Sequence, residues 1–452
     1  MSALQNAMAM TRRVQPVEMS GRIERIRGLT AHVRGLNAAI GSLVRIDPSD
    51  GAAPSAFGEV VGCDRGVVIC MLFSAMQGLG PGDRVIGLQA SPTVSLGSSM
   101  LGRVLNGLGQ PIDGLGPLHD TVPCPLAPEP ISALLRAPIE EPIPTGVRVL
   151  DSMVTAGKGQ RLGVFAGPGV GKSTLIGSIA RNTEADTSVI ALIGERGREV
   201  REFIDKSLGP DGLARSVVVV ATSDESPLLR TRAAMVASAA AEFLRDQGRD
   251  VMLMMDSITR FCQAQRQIGL AAGEPPATKG YTPSVFASLA SLLERAGAVQ
   301  GRGSITGIYA VLVEGDDLTE PVSDAARGIL DGHISLSRKL ANRGHFPAVD
   351  VLDSVSRVAT DVTTKQHQQA RTSLLRLLAD FSEVEELVNI GAYARGSNPA
   401  FDVAIEMKPR LDEFFQQGAS ENADYAKSAG LLLQLAVEAG ASLANRQKAA
   451  RR

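Results

Sequence analysis

Hydrophobic and polar positions follow different rhythms along this chain. From Gly21 to about Leu88 they alternate in short runs, RIERIRGLTAHVRG, GSLVRID, FGEVVG, GVVICMLF and DRVIGL, broken by turn signals such as GPGD. Period-two alternation interrupted by Gly and Pro predicts short strands that each bury one face, hence a small β-barrel or sandwich. From Ser91 to Pro144 Gly and Pro crowd the sequence (LGRVLNGLGQPIDGLGP, then PCPLAPEPI), which predicts a winding connection with little regular structure. Between Leu162 and Val313 the runs LGVFA, SVIALIG, VVVVA, VMLMMD and TGIYAVLV alternate with helical stretches such as SPLLRTRAAMVASAAAEFLRDQ. Unbroken apolar strands between helices predict a mostly parallel sheet covered on both faces. After about Lys365 the period becomes helical. The pattern divides the chain into a short polar arm over 1–20, a barrel over 21–95, an α/β core over 96–365 and a helical domain over 366–452.

Composition narrows the classes. Of 452 residues, 46 are Lys or Arg and 48 Asp or Glu, a net charge of −2, and 44% are apolar. That apolar fraction supports a real core rather than disorder. Nucleic-acid binding draws on a basic surplus that the whole chain lacks, and the absence of Trp leaves few platforms for stacking bases, so no nucleic-acid partner is expected. The opening MSALQNAMAMTRRVQPVEMS carries no apolar stretch of a secretory signal, so the chain is expected to be soluble and intracellular. Cys63, Cys70, Cys124 and Cys262 form no metal-ligand spacing and are expected to be reduced thiols. Charge is nonetheless uneven. Residues 1–34 hold Arg12, Arg13, Arg22, Arg25, Arg27 and Arg34 against Glu18 and Glu24, which predicts weak, salt-sensitive attachment to an anionic membrane surface or acidic partner.

The strand LGVFA runs into Ala166, Gly167, Pro168, Gly169, Val170, Gly171, Lys172, Ser173 and Thr174, followed by a helical stretch. A glycine loop between strand and helix lets backbone N–H groups wrap phosphates at the positive end of the helix. Lys172 is then placed to reach the β and γ oxygens of ATP, and the Ser173 hydroxyl to ligate Mg²⁺. The motif normally begins with Gly; here Ala166 stands in that position. Phosphoryl transfer to water also needs an acid for the metal, an acid to orient the water and positive charge for the transition state. Such groups belong at the carboxyl ends of parallel strands. Asp256 ends VMLMMD and reads as a Mg²⁺ acid. Glu195 follows SVIALIG in Gly194-Glu195-Arg196-Gly197-Arg198-Glu199.

With these motifs in order, the chain resembles the hexameric ATPases of the rotary ATP synthase and type III secretion superfamily over nearly its whole length. The likeness rests on LGRVLNGLGQPIDG, GERGREV and RGHFPAVDVLDSVSRV; TAGKGQRLGVFAGPGVGKST, IGLAAGEPPATKGYTPSVFASLASLLERAG, GHISLSRKLA and GAYARGSNPAFDVAI resemble the export ATPases, above all the flagellum-specific ones. The resemblance implies an N-terminal barrel that holds a ring together, a RecA-like P-loop core, and a C-terminal helical domain facing the export channel. It implies Glu195 as the carboxylate orienting the hydrolytic water, Arg196 and Arg260 as γ-phosphate contacts, and Glu199 as a second acid near Mg²⁺. It implies Arg357 as an arginine finger inserted into the neighbouring subunit's site, and Phe346 as the ring against adenine. A second adenine-side aromatic stays open between Phe414 and Phe415. Rotary synthase rings divide the essential Glu and the finger between two subunits; here both lie in one chain, which predicts an active homohexamer. The acidic segment D-E-L-S-E-E-D of the catalytic synthase subunit is absent from the C-terminal domain, which argues against a proton-driven synthase.

The resemblance further implies peripheral association with the cytoplasmic face of the inner membrane at the export apparatus. Its implied partners are a negative regulator bound by the N-terminal arm through Leu4, Met8 and Val14, a central-stalk-like protein, export chaperones and substrates, and an export gate. A virulence injectisome ATPase is the nearest alternative; an RNA translocase of the transcription-termination type and a nucleotide-binding subunit without turnover are more remote. Residues 1–95 carry nine Lys or Arg against seven Asp or Glu, thin for a nucleic-acid clamp.

Overall fold

The computed structural model describes residues 18–49, 54–89, 92–313, 315 and 319–450. Leu4, Met8, Val14, Arg12 and Arg13 lie outside the described residues. Six antiparallel strands, β1 (Ser20–Arg27), β2 (Thr30–Arg34), β3 (Leu43–Asp47), β4 (Ala56–Asp64), β5 (Val67–Leu72) and β6 (Arg84–Gln89), close into a barrel in the order β1-β2-β5-β4-β3-β6. The alternation seen in the sequence is the reason: Ile23, Val33, Val44, Ile46, Val60, Val68, Leu72 and Val85 point inward and pack together. The GPGD turn is tied by the Asp83 carboxylate, which accepts from Gly80 N–H at 2.7 Å, Ser49 N–H at 2.9 Å and the Ser49 hydroxyl at 2.6 Å.

The barrel is pinned to the rest by a buried ion pair. Glu59 of β4 meets Arg232 of helix Pro227–Arg245 at 3.1 Å, and the same guanidinium lies 5.6 Å from the Phe73 ring centre. Burial holds the Glu59 carboxyl above its usual value despite the arginine. Met71, Leu228 and Ile268 complete the seam.

The stretch after the barrel is more ordered than its Gly and Pro content predicts. β7 (Thr93–Leu96) pairs with β9 (Val122–Pro125), and between them β8 (Val104–Asn106) joins the central sheet as a parallel edge strand beside β12. Three residues with Gly on either side give no readable period, and their strand character comes from pairing with the neighbour. The sheet continues with β10 (Arg161–Ala166), β11 (Thr187–Glu195), β12 (Ser216–Thr222), β13 (Asp250–Asp256), β14 (Gly297–Ala298), β15 (Ser304–Leu312), β16 (Gly332–Leu336) and β17 (Val349–Ser356), in the order β17-β16-β10-β15-β13-β11-β12-β8, with β14 paired to β15. All neighbours along that path are parallel except β16 and β17.

Three C-terminal helices, Lys365–Asn389, Pro399–Phe415 and Tyr425–Ala450, share one apolar core with the loop helix Lys172–Asn182. Leu374, Leu411 and Leu432 from the three helices belong to the same buried cluster as Ile176 and Ile179. The connector after Phe415 is laid against the core: Arg148 N–H donates to the Gln417 side chain at 2.7 Å, and the Ser178 hydroxyl donates to Ala419 O at 3.0 Å. No described helix is long and apolar enough to cross a membrane.

Candidate active site

The glycine loop leaves β10 and enters helix Lys172–Asn182. Gly169 and Gly171 adopt φ of 78° and 96°, which L side chains avoid, so these two positions require glycine. Ala166 does not: it is the last residue of β10, paired to Leu312 in an extended strand, and a Cβ fits there. This is why the motif tolerates its departure. The first amides of the helix have no acceptor within it and face the loop opening, where Ser173 and Thr174 are exposed.

Lys172 folds back from the helix start to form an ion pair with Asp256, and its ammonium is 4.0 Å from Glu195 Oε1. Asp256 is the last residue of β13 and is buried; it stands beside Leu192 of β11 in the ladder. Glu195 owes its position to a bulge. The register of β11 against β12 slips between Ile193 and Glu195, with the extra residue Gly194 at φ 70°. Such a bulge re-aims the next side chain, here over the end of the sheet. Gly194 also makes room, since a Cβ there would lie 3.0 Å from Arg260 Cβ and 3.1 Å from its Cγ. Arg260 therefore crosses directly over the bulge. Its Nε is buried and meets no hydrogen-bond partner among the described residues, and Nη1 reaches Gln263 at 3.4 Å.

Burial, and next the negative charge of Asp256, push the Glu195 carboxyl up to about 7, against the pull of Lys172. Glu195 shares a hydrogen bond with Glu199, whose own carboxyl is held below the usual range by that bond. The proton of the pair thus rests on Glu195. Glu199 also caps helix Gly197–Glu202, accepting from Arg196 N–H at 3.4 Å.

The remaining expected residues are placed as follows. The Arg196 side chain is 81% exposed and 3.8 Å from Glu199, turned away from the Lys172 cluster. Phe346 is 45% exposed, and its ring is 3.5 Å from where a Cβ on Gly171 would stand, so it flanks the loop opening. Its carbonyl accepts from Gln417 N–H at 2.9 Å. Phe414 and Phe415 are both buried in the helical core, with ring centres 5.4 Å apart. Neither forms a second wall opposite Phe346. A cavity of about 520 Å³ beside Ser173 and Thr174 is lined by Arg181, Phe203, Ala419 and Ser420 and not by Phe346.

Arg357 is not in the cluster. β17 runs against β16, with Ser356 level with Gly332, while His333 is level with Gly163 near the start of β10. The glycine loop leaves the other end of β10, so at about 3.3 Å per residue Arg357 stands roughly 15 Å back from its own loop. It is exposed there; its N–H donates to Asp331 O at 3.0 Å and its Nη2 to Arg327 O at 3.3 Å.

A nucleotide loop at the end of a parallel sheet, with a lysine and two carboxyls converging on it, defines a P-loop nucleoside triphosphatase. Residues 146–356 match the family model of the ATP synthase alpha/beta family, nucleotide-binding domain, and residues 363–434 match that of the T3SS EscN ATPase C-terminal domain. The chain is 49% identical to the flagellum-specific ATP synthase of Bacillus subtilis over 92% of its own length and 94% of the relative's. It is 48% identical to that of Salmonella typhimurium over 95% and 96%. Among solved structures it is similar to the assembled ATPase EscN of enteropathogenic E. coli, at 41% identity and TM-score 0.87, covering 92% of this chain and all of that one; EscN with its central stalk EscO gives 0.84 over the same share of both chains. The chain belongs to the family of flagellum-specific ATP synthases and type III secretion ATPases, and it is an ATPase.

Proposed function

We propose that this ATPase works as a homohexameric ring that energises flagellar type III protein export, releasing and unfolding chaperone-bound substrates at the export gate. Whole-length likeness to flagellum-specific relatives supports the flagellar assignment. The observation that carries the mechanism is a separation within one chain: Lys172, Glu195 and Asp256 meet at one end of the sheet, while Arg357 stands at the other.

In this reading the loop from Ala166 to Thr174 wraps the phosphates, Lys172 leaves Asp256 to reach the β and γ oxygens, and Phe346 stacks on adenine. Glu195 orients the attacking water, while Glu199 holds Glu195 in place. Arg260 offers its unmet Nε–H to the γ-phosphate, and Arg196 reaches the same group after turning inward. The donor set suits Mg²⁺: an open hydroxyl at Ser173, the carboxyls of Asp256 and Glu199, and no cluster of three or more His, Cys, Asp or Glu side chains among the described residues that would cage an ion without substrate phosphates. When bound, Mg²⁺ supplies neutralisation of the β and γ oxygens. Arg357 then serves the neighbour's ATP, a role that its roughly 15 Å setback from its own loop supports.

The four-part division at residues 20, 95 and 365 belongs to the same proposal. So does attachment at the cytoplasmic face of the inner membrane, with a central-stalk-like protein in the ring and a negative regulator at the N-terminal arm. Arg22, Arg25, Arg27 and Arg34, exposed on β1 and β2 beside the exposed Leu29, are the described part of the basic surface that would meet anionic lipid.

The test mixes subunits. Arg357→Ala and Lys172→Ala rings should each be inactive, and mixed rings should regain partial turnover at interfaces that pair the intact loop of one variant with the intact finger of the other. Verified mixed rings with no recovery would refute completion in trans. Glu195→Gln should retain ATP binding and lose turnover by about a thousandfold.

A further inference from the structure

Arg260 has a second cationic neighbour that the proposed hydrolysis does not use. Arg230 stands in the first turn of helix Pro227–Arg245, half-buried, and its Nε is buried without a hydrogen-bond partner among the described residues. Its Nη2 donates to the neutral amide of Gln267 at 3.1 Å. Arg260, Gln263 and Gln267 fall on one face of helix Ile258–Ala272, so the two guanidinium groups lie at the ends of a row whose intermediate members are amides. No described carboxylate forms an ion pair with either arginine, although Asp224 and Glu225 precede Arg230 closely in the chain. Burial and then the charge of Arg260 lower the affinity of Arg230 for its proton, so the two cations are near enough to repel.

Two half-buried arginines without a counter-charge are costly unless an anion visits them. The γ-phosphate accounts for Arg260 in the proposed mechanism. It leaves Arg230 unexplained. Because Arg260 crosses Gly194, the neighbour of Glu195, an anion held by Arg260 would sit close to the carboxylate that the proposed mechanism assigns to the water. Guanidinium forks match a tetrahedral oxyanion, and each has a buried Nε–H with no acceptor among the described residues.

We propose that Arg230 and Arg260 form an oxyanion position behind Glu195 that holds inorganic phosphate after it is cleaved from ATP. The position rests on the active-site reading above and extends it to the product. Arg230 contributes to the retention of phosphate and not to the capture of ATP, whose triphosphate is held by the glycine loop. Its removal therefore acts on one side of the reaction only.

The test compares Arg230→Gln and Arg230→Lys with wild type by inhibition of steady-state ATP hydrolysis with inorganic phosphate. Arg230→Gln should weaken phosphate inhibition about tenfold, the effect of one lost charged hydrogen bond, with KM for ATP unchanged and the melting temperature not lowered. Arg230→Lys should recover most of that loss. Unchanged phosphate inhibition in Arg230→Gln would overturn the site, as would a parallel loss of ATP and phosphate affinity, which would make Arg230 a general support of the fold. Should the Gln variant not fold, the wild-type ring carries the test: inorganic phosphate should protect Arg230 from an arginine-modifying dicarbonyl, read by peptide mass spectrometry, and absent protection refutes it. Glu195→Gln separates the two layers, since normal turnover in that variant would sink the active-site reading while the protection of Arg230 would be judged by itself.

Discussion

Glu195 is expected to be a stability burden as well as a catalytic group. Burial and the neighbouring Asp256 hold its carboxyl near 7 in place of the ordinary 4.5. For a group raised in the folded state, the sign is fixed. Below about pH 4.5 both folded and unfolded chains carry the proton and nothing is lost. Between 4.5 and 7 the unfolded chain releases it while the folded one keeps it, so stability falls with rising pH, and above 7 the full penalty is present. At about 1.4 kcal/mol per tenfold change in proton affinity, the ceiling is about 3 kcal/mol. The opposite displacement of Glu199, bonded to the same proton, offsets part of this, so the penalty at pH 8 lies below that ceiling. Glu195→Gln keeps the shape and can still donate to Glu199, but it never ionises. The variant should therefore match wild type near pH 5 and exceed it at pH 8 by no more than about 3 kcal/mol, a few degrees in melting temperature, despite losing turnover. Thermal melts of nucleotide-free protein across that range, with chelator present, provide the measurement. Parallel curves for the two proteins at every pH would refute the reasoning, because they would mean that the folded and unfolded states hold the Glu195 proton equally.

Other substitutions probe the remaining supports. Gly194→Ala forces a methyl into positive φ and against Arg260, and should cut turnover by about tenfold to a hundredfold while nucleotide affinity changes little; equal turnover in a stopped assay would show that the bulge is not what aims Glu195. Glu59→Gln leaves the Arg232 guanidinium buried without its counter-charge and should cost about 3 kcal/mol in denaturant unfolding, whereas Glu59→Leu with Arg232→Met should recover most of it. Phe346→Ala should raise KM for ATP about threefold to tenfold and leave the melting temperature alone, since the exposed ring stabilises little in the folded chain.

What could be read from the sequence follows from how local each signal is. The strands β10 to β13 and β15 are buried on both faces and so appear as unbroken apolar runs; the glycine loop declares itself because its residues are consecutive. β8, β16 and β17 did not stand out: the first has three residues, the second only five, and the third places Asp350, Asp353 and exposed Val355 in the strand pattern, so pairing rather than composition makes them strands. The bulge at Gly194 is invisible for a related reason. A glycine before Glu195 reads as an ordinary strand end until the ladder shows two residues opposing one. Phe414 and Phe415 misdirect in the opposite sense, since their aromatic character suits an adenine wall and equally a helical core, and only packing decides between them.

The position of Arg357 shows how topology supplies what local pattern cannot. β17 is the one strand on the main path that runs against its neighbour, and this reversal carries the segment after it to the amino end of the sheet. Had β17 been parallel, Arg357 would have emerged beside its own glycine loop, and one chain could have gathered every charge that phosphoryl transfer needs. As built, the chain keeps its acids and Lys172 at one end and Arg357 at the other. If the finger serves a neighbour's site as proposed, dilution below the assembly threshold must remove turnover while leaving ATP binding to the loop intact, because the loop, Lys172 and Phe346 belong to one subunit and only the transition-state charge is borrowed.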